Sequence, residues 1–223
     1  MIRKALILLF LIPVVAVQAF AQDLISVADL AKEMKNPEYV IVSGVLEEEY
    51  SKVHITGSVN IPYKAFFKPG SIEGILVSNA EIEKIFGDNG VTPNKTIVVY
   101  DEGQGKYATR LYWILKYMGI PKVKVLNGGM EAWKAGRKPV TKNPTQIAKG
   151  TFKGTPKPKM IVTAEEVKAA KGKSNTVVVD VREVNEFKGA DGKSKGHIPW
   201  SINVDHTTLL NPDKTFKSKA DLE

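Results

Sequence analysis

The composition of the 223-residue chain excludes several classes of protein before any motif is considered. Hydrophobic residues make up 43% and charged residues 25%, an ordinary globular mixture that leaves room for one large or two small domains. The net charge of +8 is spread along the chain without a stripe of arginine and aromatic residues, which argues against nucleic-acid binding.

Residues 1–21 have the pattern of a secretory signal peptide. Two basic residues precede an apolar run over 5–17, and Ala19-Phe20-Ala21 is a small-x-small cleavage site. The run is shorter than the roughly 20 residues that a membrane-spanning helix needs. We therefore expect export, with the mature chain beginning near Gln22, no membrane attachment after cleavage and a bacterial periplasm as the destination. An uncleaved anchor is the alternative.

The chain contains no cysteine. An exported protein without cysteine has no disulfide, no thiolate metal site and no thiol nucleophile within these residues. The three histidines, His54, His197 and His206, lack the spacing of metal ligands. We accordingly expect neither a metal nor a cofactor.

Helix and strand patterns alternate from residue 26 to residue 136. Ser26 with Asp29, and Ser78 with Glu81, are helix-start signatures. The other expected elements are strands at 39–42, around 59–61, at 96–100 and at 122–126, an acidic helix at 46–53, and helices at 107–118 and from 130 to Gly136. This alternation predicts a parallel sheet flanked by helices.

The central unit is the buried strand 96–100 with the loop and helix that follow it. The loop consists of Asp101, Glu102, Gly103, Gln104, Gly105 and Lys106, ahead of a helix with a broad apolar face. Such a loop directs backbone N–H groups toward one point in front of the helix, which is a site for an anion. The glycines and Lys106 superficially resemble a phosphate loop, but the spacing and the following Ser or Thr are absent.

The segment from Arg137 to Lys159 carries seven positive charges, no negative charge and four prolines. This composition predicts an extended, self-repelling linker. A solvated linker is the plainer interpretation, and a strip that attracts small anionic substrates is the functional alternative.

The same order of patterns begins again after the linker. Thr163 with Glu166 repeats the first helix start, and Val177–Asp180 repeats the strand at Val40–Ser43. The stretch His197-Ile198-Pro199-Trp200-Ser201-Ile202-Asn203 repeats the turn that begins at His54, with six extra residues in the loop 189–195. Matching elements in one order indicate an internal duplication.

The second copy is expected to be incomplete. Ser218 and Asp221 form another helix-start signature close to Glu223. By the repeat offset, the counterpart of the Asp101 loop would begin 18 residues past Glu223. We therefore expect this sequence to be a truncated version of a longer protein, with an apolar sheet face of the second copy left uncovered.

These motifs resemble the tandem-domain rhodanese family, the thiosulfate and 3-mercaptopyruvate sulfurtransferases. The resemblance rests on the two His-Ile turns, on Asp180-Val181-Arg182-Glu183, on the stretch from Asp101 to Trp113 with Arg110, and on the run 125–133. It implies an α/β fold of two tandem rhodanese-like domains, each a parallel sheet flanked by helices, the second incomplete. The expected divisions are a signal peptide at 1–21, a first, non-catalytic domain at 22–140, a basic linker at 141–159 and part of a second domain at 160–223.

The resemblance also implies an activity, namely transfer of sulfane sulfur from a small anionic donor to a thiol or cyanide through a cysteine persulfide. No catalytic residue is expected within the chain, because the family's cysteine would lie beyond Glu223 and Asp101 occupies its position in the first copy. We expect the Asp101 carboxylate to fill its own anion-binding loop. Arg182 is a candidate for substrate binding or else a structural ion-pair residue, and Glu186 stands where related proteins often carry another arginine.

Three functions remain open at this point. The first is an exported sulfurtransferase whose catalytic loop lies outside these 223 residues, so that the chain alone is inactive. The second is a non-catalytic rhodanese-like module that binds small anions or a protein partner. The third is an unrelated α/β hydrolase or a phosphatase-like enzyme, although the phosphatase chemistry of such a loop would also need a cysteine. The oligomeric state does not follow from the sequence.

Overall fold

The computed structural model describes residues 23–70 and 72–223. The predicted signal peptide lies outside the described residues. Within them, no helix is both long and apolar enough to cross a membrane.

The first copy is a five-stranded parallel sheet with helices on both faces. The strand order is β1-β6-β5-β2-β4, with β1 at Leu24–Ile25, β2 at Tyr39–Ser43, β4 at Val59–Asn60, β5 at Thr96–Tyr100 and β6 at Val123–Leu126. The helices are α1 at Val27–Glu33, α2 at Glu47–Lys52, α3 at Asn79–Asp88, α4 at Lys106–Tyr117 and α5 at Gly129–Ala135. A short antiparallel pair, β3 at His54–Ile55 and β7 at Val140–Thr141, closes one side.

Alternate side chains of the central strands enter two separate cores. Val40, Val42, Ile97 and Val99 pack with α3 and α4 on one face. Ile41, Val98 and Tyr100 pack with Leu30 and Trp133 on the other. Strands that are buried on both faces read as continuous apolar runs, which is why the sequence pattern located them correctly.

The helix-start signatures act as caps. Ser26 accepts a hydrogen bond from the Asp29 N–H, and Ser78 forms a reciprocal capping box with Glu81. Each cap satisfies backbone donors that have no partner within the helix.

The basic segment after β7 is extended, as expected, and it is docked on the first copy through a few contacts while most of its side chains remain exposed. Phe152 is 3% exposed and its ring lies 4.8 Å from that of Phe86. The Gly150 and Thr155 N–H groups donate to carbonyls at the ends of α3 and α4, and Lys153 pairs with Glu83 at 2.5 Å. The apolar Phe152 is the signal in the sequence that this segment packs against a core.

The second copy repeats the first in smaller form. It contains α6 at Ala164–Ala169, β8 at Val179–Asp180, α7 at Val184–Lys188, β9 at Ile202–Asn203 and α8 at Lys219–Leu222. The parallel pair of β8 and β9 has the register of β2 and β4, with Val179 opposite Ile202 as Val42 is opposite Val59.

Side-chain hydrogen bonds are repeated as well as strands. Asn60 donates to the carbonyls of Ser43 and Val45, and Asn203 donates to those of Asp180 and Arg182. These pairs are the ones that the predicted repeat aligns, so the duplication extends to individual atoms.

The two histidine turns match in the same way. His54 stacks on Tyr50 with ring centroids 3.8 Å apart, and His197 stacks on Phe187 at 3.7 Å. In each turn the histidine Nδ1 also lies within 2.9 Å of the backbone carbonyl oxygen of the aromatic residue on which the imidazole stacks. Both histidines therefore order a turn through hydrogen bonds to the backbone.

Candidate functional site

The loop between β5 and α4 holds the carboxylate of Asp101. Its Oδ1 accepts hydrogen bonds from the N–H groups of Gly103 and Gly105 at 3.0 and 3.1 Å, and its Oδ2 accepts from Tyr107 and Ala108 at 2.9 and 3.1 Å. The side chain is buried, and charge-assisted bonds of this kind are the stronger ones. The anion-binding loop predicted from the sequence is present, and the side chain of the protein itself occupies it.

Glycine is required at one point of this loop and at one point of the turn beside it. Gly105 has a φ of 74° at the start of α4, and Gly129, in the neighbouring turn, has a φ of 55°. A Cβ at Gly129 would lie 2.6 Å from the Asp101 carbonyl oxygen. The close approach allows the Met130 N–H to donate to that oxygen at 2.8 Å, which fixes the loop against α5.

A hairpin of the second copy, closed by an antiparallel bridge between Leu210 and Phe216, covers the same loop from outside. The Phe216 N–H donates to the Asn127 side chain at 2.8 Å, and its ring packs against the larger core of the first copy. Ideal Cβ positions at Gly103 and Gly105 would lie 3.4 Å from the Lys214 side chain and 3.3 Å from the Phe216 ring. The Asp101 loop is thus filled from within and covered from without.

Arg182 follows β8 and pairs with Asp180. Its Nη2 lies 2.6 Å from one carboxylate oxygen of Asp180 and its Nε lies 2.9 Å from the other. Nη2 also donates to the Gly196 carbonyl at 2.9 Å. The hydrogen bonds from Arg182 hold the pKa of Asp180 below its usual value. The ion-pair role expected for Arg182 is therefore present, and it leaves part of the guanidinium exposed.

Arg182 also faces the first copy across a cavity of about 440 Å³. The residues around this cavity include Lys106, Thr109 and Arg110 from α4 and Val181, Glu186 and His206 from the second copy. It lies at the carboxyl end of β8, the edge where open α/β sheets bind ligands. The three cations Lys106, Arg110 and Arg182 make it suited to a small anion, and Glu186 offsets part of that charge.

Arg110 is held differently from Arg182. It donates to the Gly74 carbonyl at 2.6 Å and lies over the rings of Phe67 and Trp113, while its Nε has no partner among the described residues. Burial lowers the pKa of its guanidinium below the usual value. Because the Arg110 guanidinium keeps an N–H group that is unpaired within the described residues, it strengthens the preference of the cavity for an anion.

The structure separates the predicted site residues into two groups. Lys106, the last residue of the loop, joins Arg182 at the cavity between the copies, whereas Asp101 and Glu102 do not line it. His206 and Thr109 are cavity residues that sequence reasoning did not select. His206 could have been found through the repeat, because it occupies the position of Tyr63. Within 23–70 and 72–223, no group of three or more His, Cys, Asp or Glu side chains is arranged so that it could hold a metal ion.

The fold and the site define a class of protein, namely a duplicated open α/β domain with an anion-binding loop at the carboxyl edge of its first sheet. The rhodanese-like domain model matches residues 26–136 and 163–223, most of the chain. The chain belongs to the rhodanese-like domain family, and the two matched segments correspond to its two copies.

Curated proteins similar to this chain include sulfurtransferases. A thiosulfate sulfurtransferase from Pseudomonas aeruginosa is 28% identical over 198 residues, which cover 87% of this chain and 73% of the relative. A thiosulfate sulfurtransferase from Azotobacter vinelandii is 25% identical over the same shares. These similarities indicate a rhodanese-type sulfurtransferase in general terms.

Solved structures agree with the fold. SseA from Escherichia coli, described with the rhodanese fold of 3-mercaptopyruvate sulfotransferases, superposes with a TM-score of 0.82 at 25% identity, over 89% of this chain and 80% of that one. An anaerobic ergothioneine biosynthesis enzyme from Chlorobium limicola gives 0.80 at 20% identity, over 90% of this chain and 56% of that one. The second likeness shows the fold alone.

Proposed function

We propose that this protein is an exported sulfurtransferase of the bacterial periplasm. It would move sulfane sulfur from thiosulfate or 3-mercaptopyruvate to a thiophilic acceptor, through a persulfide on a cysteine that lies beyond Glu223. The observation that carries the proposal is the similarity to thiosulfate sulfurtransferases over 87% of the chain, both copies included. On this proposal the 223 residues alone are inactive, because they contain no cysteine.

The proposed chemistry requires a sulfur nucleophile. A thiolate attacks the outer sulfur of thiosulfate, the S–S bond breaks, and sulfite leaves with its electron pair. With 3-mercaptopyruvate the C–S bond breaks, and the carbon takes the electron pair and a proton to give pyruvate. Cyanide then attacks the outer sulfur of the persulfide, forming thiocyanate and regenerating the thiolate. An oxygen nucleophile such as Asp101 cannot store sulfur in this way.

The cavity between the copies supports an anionic donor. The cations that line it from the two copies are Lys106, Arg110 and Arg182. The cavity lies beside β8, which is the counterpart of β2 in the first copy. In the first copy, β2 pairs with β5, and β5 leads into the Asp101 loop. A counterpart of that loop in the second copy would open at the same sheet edge. There its N–H groups would lower the pKa of a cysteine thiol, since an anion nest favours the thiolate.

The first experiment tests activity. We expect no thiocyanate from thiosulfate and cyanide with the 223-residue chain, and turnover with a chain extended by its natural downstream coding sequence. Replacing the cysteine of the extension by serine should abolish the turnover. Thiocyanate formation by the 223 residues would overturn the proposal, as would a downstream sequence without cysteine.

The second experiment tests export. When the chain is expressed with residues 1–21 in a Gram-negative host, we expect periplasmic protein whose first residue is Gln22. A matched chain without residues 1–21 should remain in the cytoplasm. Intact Met1 on material in the membrane fraction would instead support the uncleaved anchor.

The alternative function is a non-catalytic rhodanese-like module that binds small anions or a protein partner. The observation that favours it is Asp101, whose carboxylate already fills the first anion-binding loop. If the extended chain binds thiosulfate without turnover, and Lys106→Gln weakens that binding while Lys188→Gln does not, this alternative is supported instead.

A further inference from the structure

A second, smaller cavity lies at the carboxyl edge of the first sheet. Its volume is about 200 Å³, and it is separate from the cavity that contains Arg182. Ser43 and Tyr100 line it from the ends of β2 and β5, where they are directly opposite each other in the strand register. Glu102 and residues of α2 and α5 complete it, among them Glu49, Met130 and Lys134.

Around this cavity, among the described residues, one buried hydroxyl lacks a hydrogen-bond partner and two charged groups lack an ion-pair partner. The Ser43 hydroxyl is completely buried and has no partner with full hydrogen-bond geometry, although the Tyr100 hydroxyl lies close enough to interact with it. Glu102 and Lys134 form no ion pair within the part of the chain that the structure describes. A buried hydroxyl without a partner costs free energy, so its presence in a cavity wall points to a ligand.

Neighbouring polar groups in the same wall are satisfied by the protein. The Tyr100 hydroxyl lies 2.9 Å from the Ser58 hydroxyl and accepts from the Ile55 N–H at 3.2 Å. Glu49 pairs with Lys52 at 2.8 Å. The groups of this wall without an ion-pair or side-chain partner in the described part of the chain are therefore the buried hydroxyl of Ser43, the partly buried carboxylate of Glu102 and the exposed ammonium group of Lys134.

The carboxylate of Glu102 lies in a negative environment. Burial raises its pKa above the usual value, and the nearby charges of Asp101, Glu49 and Glu131 raise it further. A cation placed against Glu102 would relieve this repulsion. The ammonium group of Lys134, on the next helix, offers a position for a negative group.

We propose that this cavity binds a small zwitterion, an α-amino acid with a short side chain. The ligand ammonium group lies against Glu102, its carboxylate faces Lys134, and one of its polar atoms bonds the Ser43 hydroxyl. The size is appropriate, because an engineered cavity of about 150 Å³ binds benzene, which has six non-hydrogen atoms. Alanine also has six non-hydrogen atoms. The proposed site is independent of sulfur transfer.

The experiment is isothermal titration calorimetry on the 223-residue chain with three probes. L-Alanine carries both charges, ethylamine lacks the carboxylate, and propionate lacks the ammonium group. We expect saturable binding of alanine and at least tenfold weaker binding of the other two. No saturable binding of alanine would overturn the proposal, and so would equal binding of alanine and ethylamine.

Variants locate the binding. We expect Glu102→Gln to weaken alanine binding at least tenfold, and Ser43→Ala and Lys134→Gln to weaken it several-fold. Glu47→Gln is the matched control, because it removes an exposed carboxylate from α2 that does not line the cavity. Alanine binding that is unchanged in Glu102→Gln would overturn the proposal. Circular dichroism of each variant confirms that a loss of binding is not a loss of fold.

The result is separable from the sulfurtransferase proposal. Alanine binding is measured without a sulfur donor or a cysteine, so it can succeed or fail whether or not the extended chain forms thiocyanate. If thiosulfate competed with alanine for binding, the claim that the two ligands use different cavities would be wrong.

Discussion

At the scale of single residues, Asp101 links the sequence pattern to the energetics of the fold. Four backbone N–H groups converge on its two oxygens, and the carboxylate is 2% exposed. The cost of removing it is therefore set by the donors that would be left without a partner rather than by the carboxylate alone.

We predict that Asp101→Ala lowers the free energy of unfolding by about 3 kcal/mol, because it leaves buried donors unpaired. Asp101→Asn keeps one acceptor oxygen and should lose less. Urea denaturation of both variants measures the difference. Stability of Asp101→Ala equal to that of the unchanged protein would show that the carboxylate does not hold the loop.

The pKa of the Glu102 carboxyl is raised above the usual 4.5, chiefly by burial. The folded state then binds the proton more tightly than the unfolded state. The stability that Glu102 contributes through this proton is complete below the usual pKa of the carboxyl, and it is lost as the pH rises through the raised pKa of the folded state.

We therefore predict that Glu102→Gln is more stable than the unchanged protein at neutral pH, and that the difference disappears well below pH 4.5. Urea denaturation across this pH range measures it, with Glu47→Gln as the control for loss of one exposed carboxylate. A Glu102→Gln variant that is less stable at neutral pH would contradict the prediction. A gain in stability with a loss of ligand affinity is the pattern expected of a binding residue.

At the scale of elements, the basic segment between the copies behaves as part of the first domain. Its charges give little stability where they are exposed, as with Lys149 and Lys153, which are 75% and 76% exposed. The buried ring of Phe152 and the backbone bonds to the ends of α3 and α4 hold it in place.

We predict that Phe152→Ala lowers the free energy of unfolding by about 3 kcal/mol, through lost burial and the cavity that remains. Val162→Ala, at a side chain that is 61% exposed, is the matched control and should change stability by less than about 0.5 kcal/mol. Denaturant unfolding measures both. Equal effects of the two substitutions would mean that the segment is merely a solvated linker.

At the scale of the whole molecule, the two copies share a backbone pattern but differ in burial. Val40 and Val42 on β2 are 4% and 0% exposed, whereas their counterparts Val177 and Val179 are 69% and 45% exposed. The uncovered apolar face expected for the second copy is therefore present in the described residues. Few buried contacts imply a low cost of local opening.

We predict that amide hydrogens of β8 and β9 exchange much faster than those of β2 and β5, and that limited proteolysis cuts after residue 160 first. Hydrogen-exchange mass spectrometry compares the repeated strands within one molecule. Equal protection of β2 and β8, or cleavage of the first copy as readily as the second, would contradict the prediction.

The sequence by itself determined the order of the central strands and main helices of the first copy, the duplication and the position of the Asp101 loop. Strand runs buried on both faces, capping residues and repeated turns are local signals, and they need no knowledge of distant contacts. For the same reason the matching positions of Asn60 and Asn203, and of His54 and His197, followed from alignment alone.

Only the tertiary structure decided which residues share a cavity. Lys106 and Arg182 lie in different copies, and the residues that share a cavity with Glu102 and Ser43 come from helices and strands that are distant along the chain. The packing of Phe152 and of Phe216 on the first core depends likewise on where the chain returns after a long separation. Such contacts arise from burial summed over the whole fold, and no local periodicity encodes them.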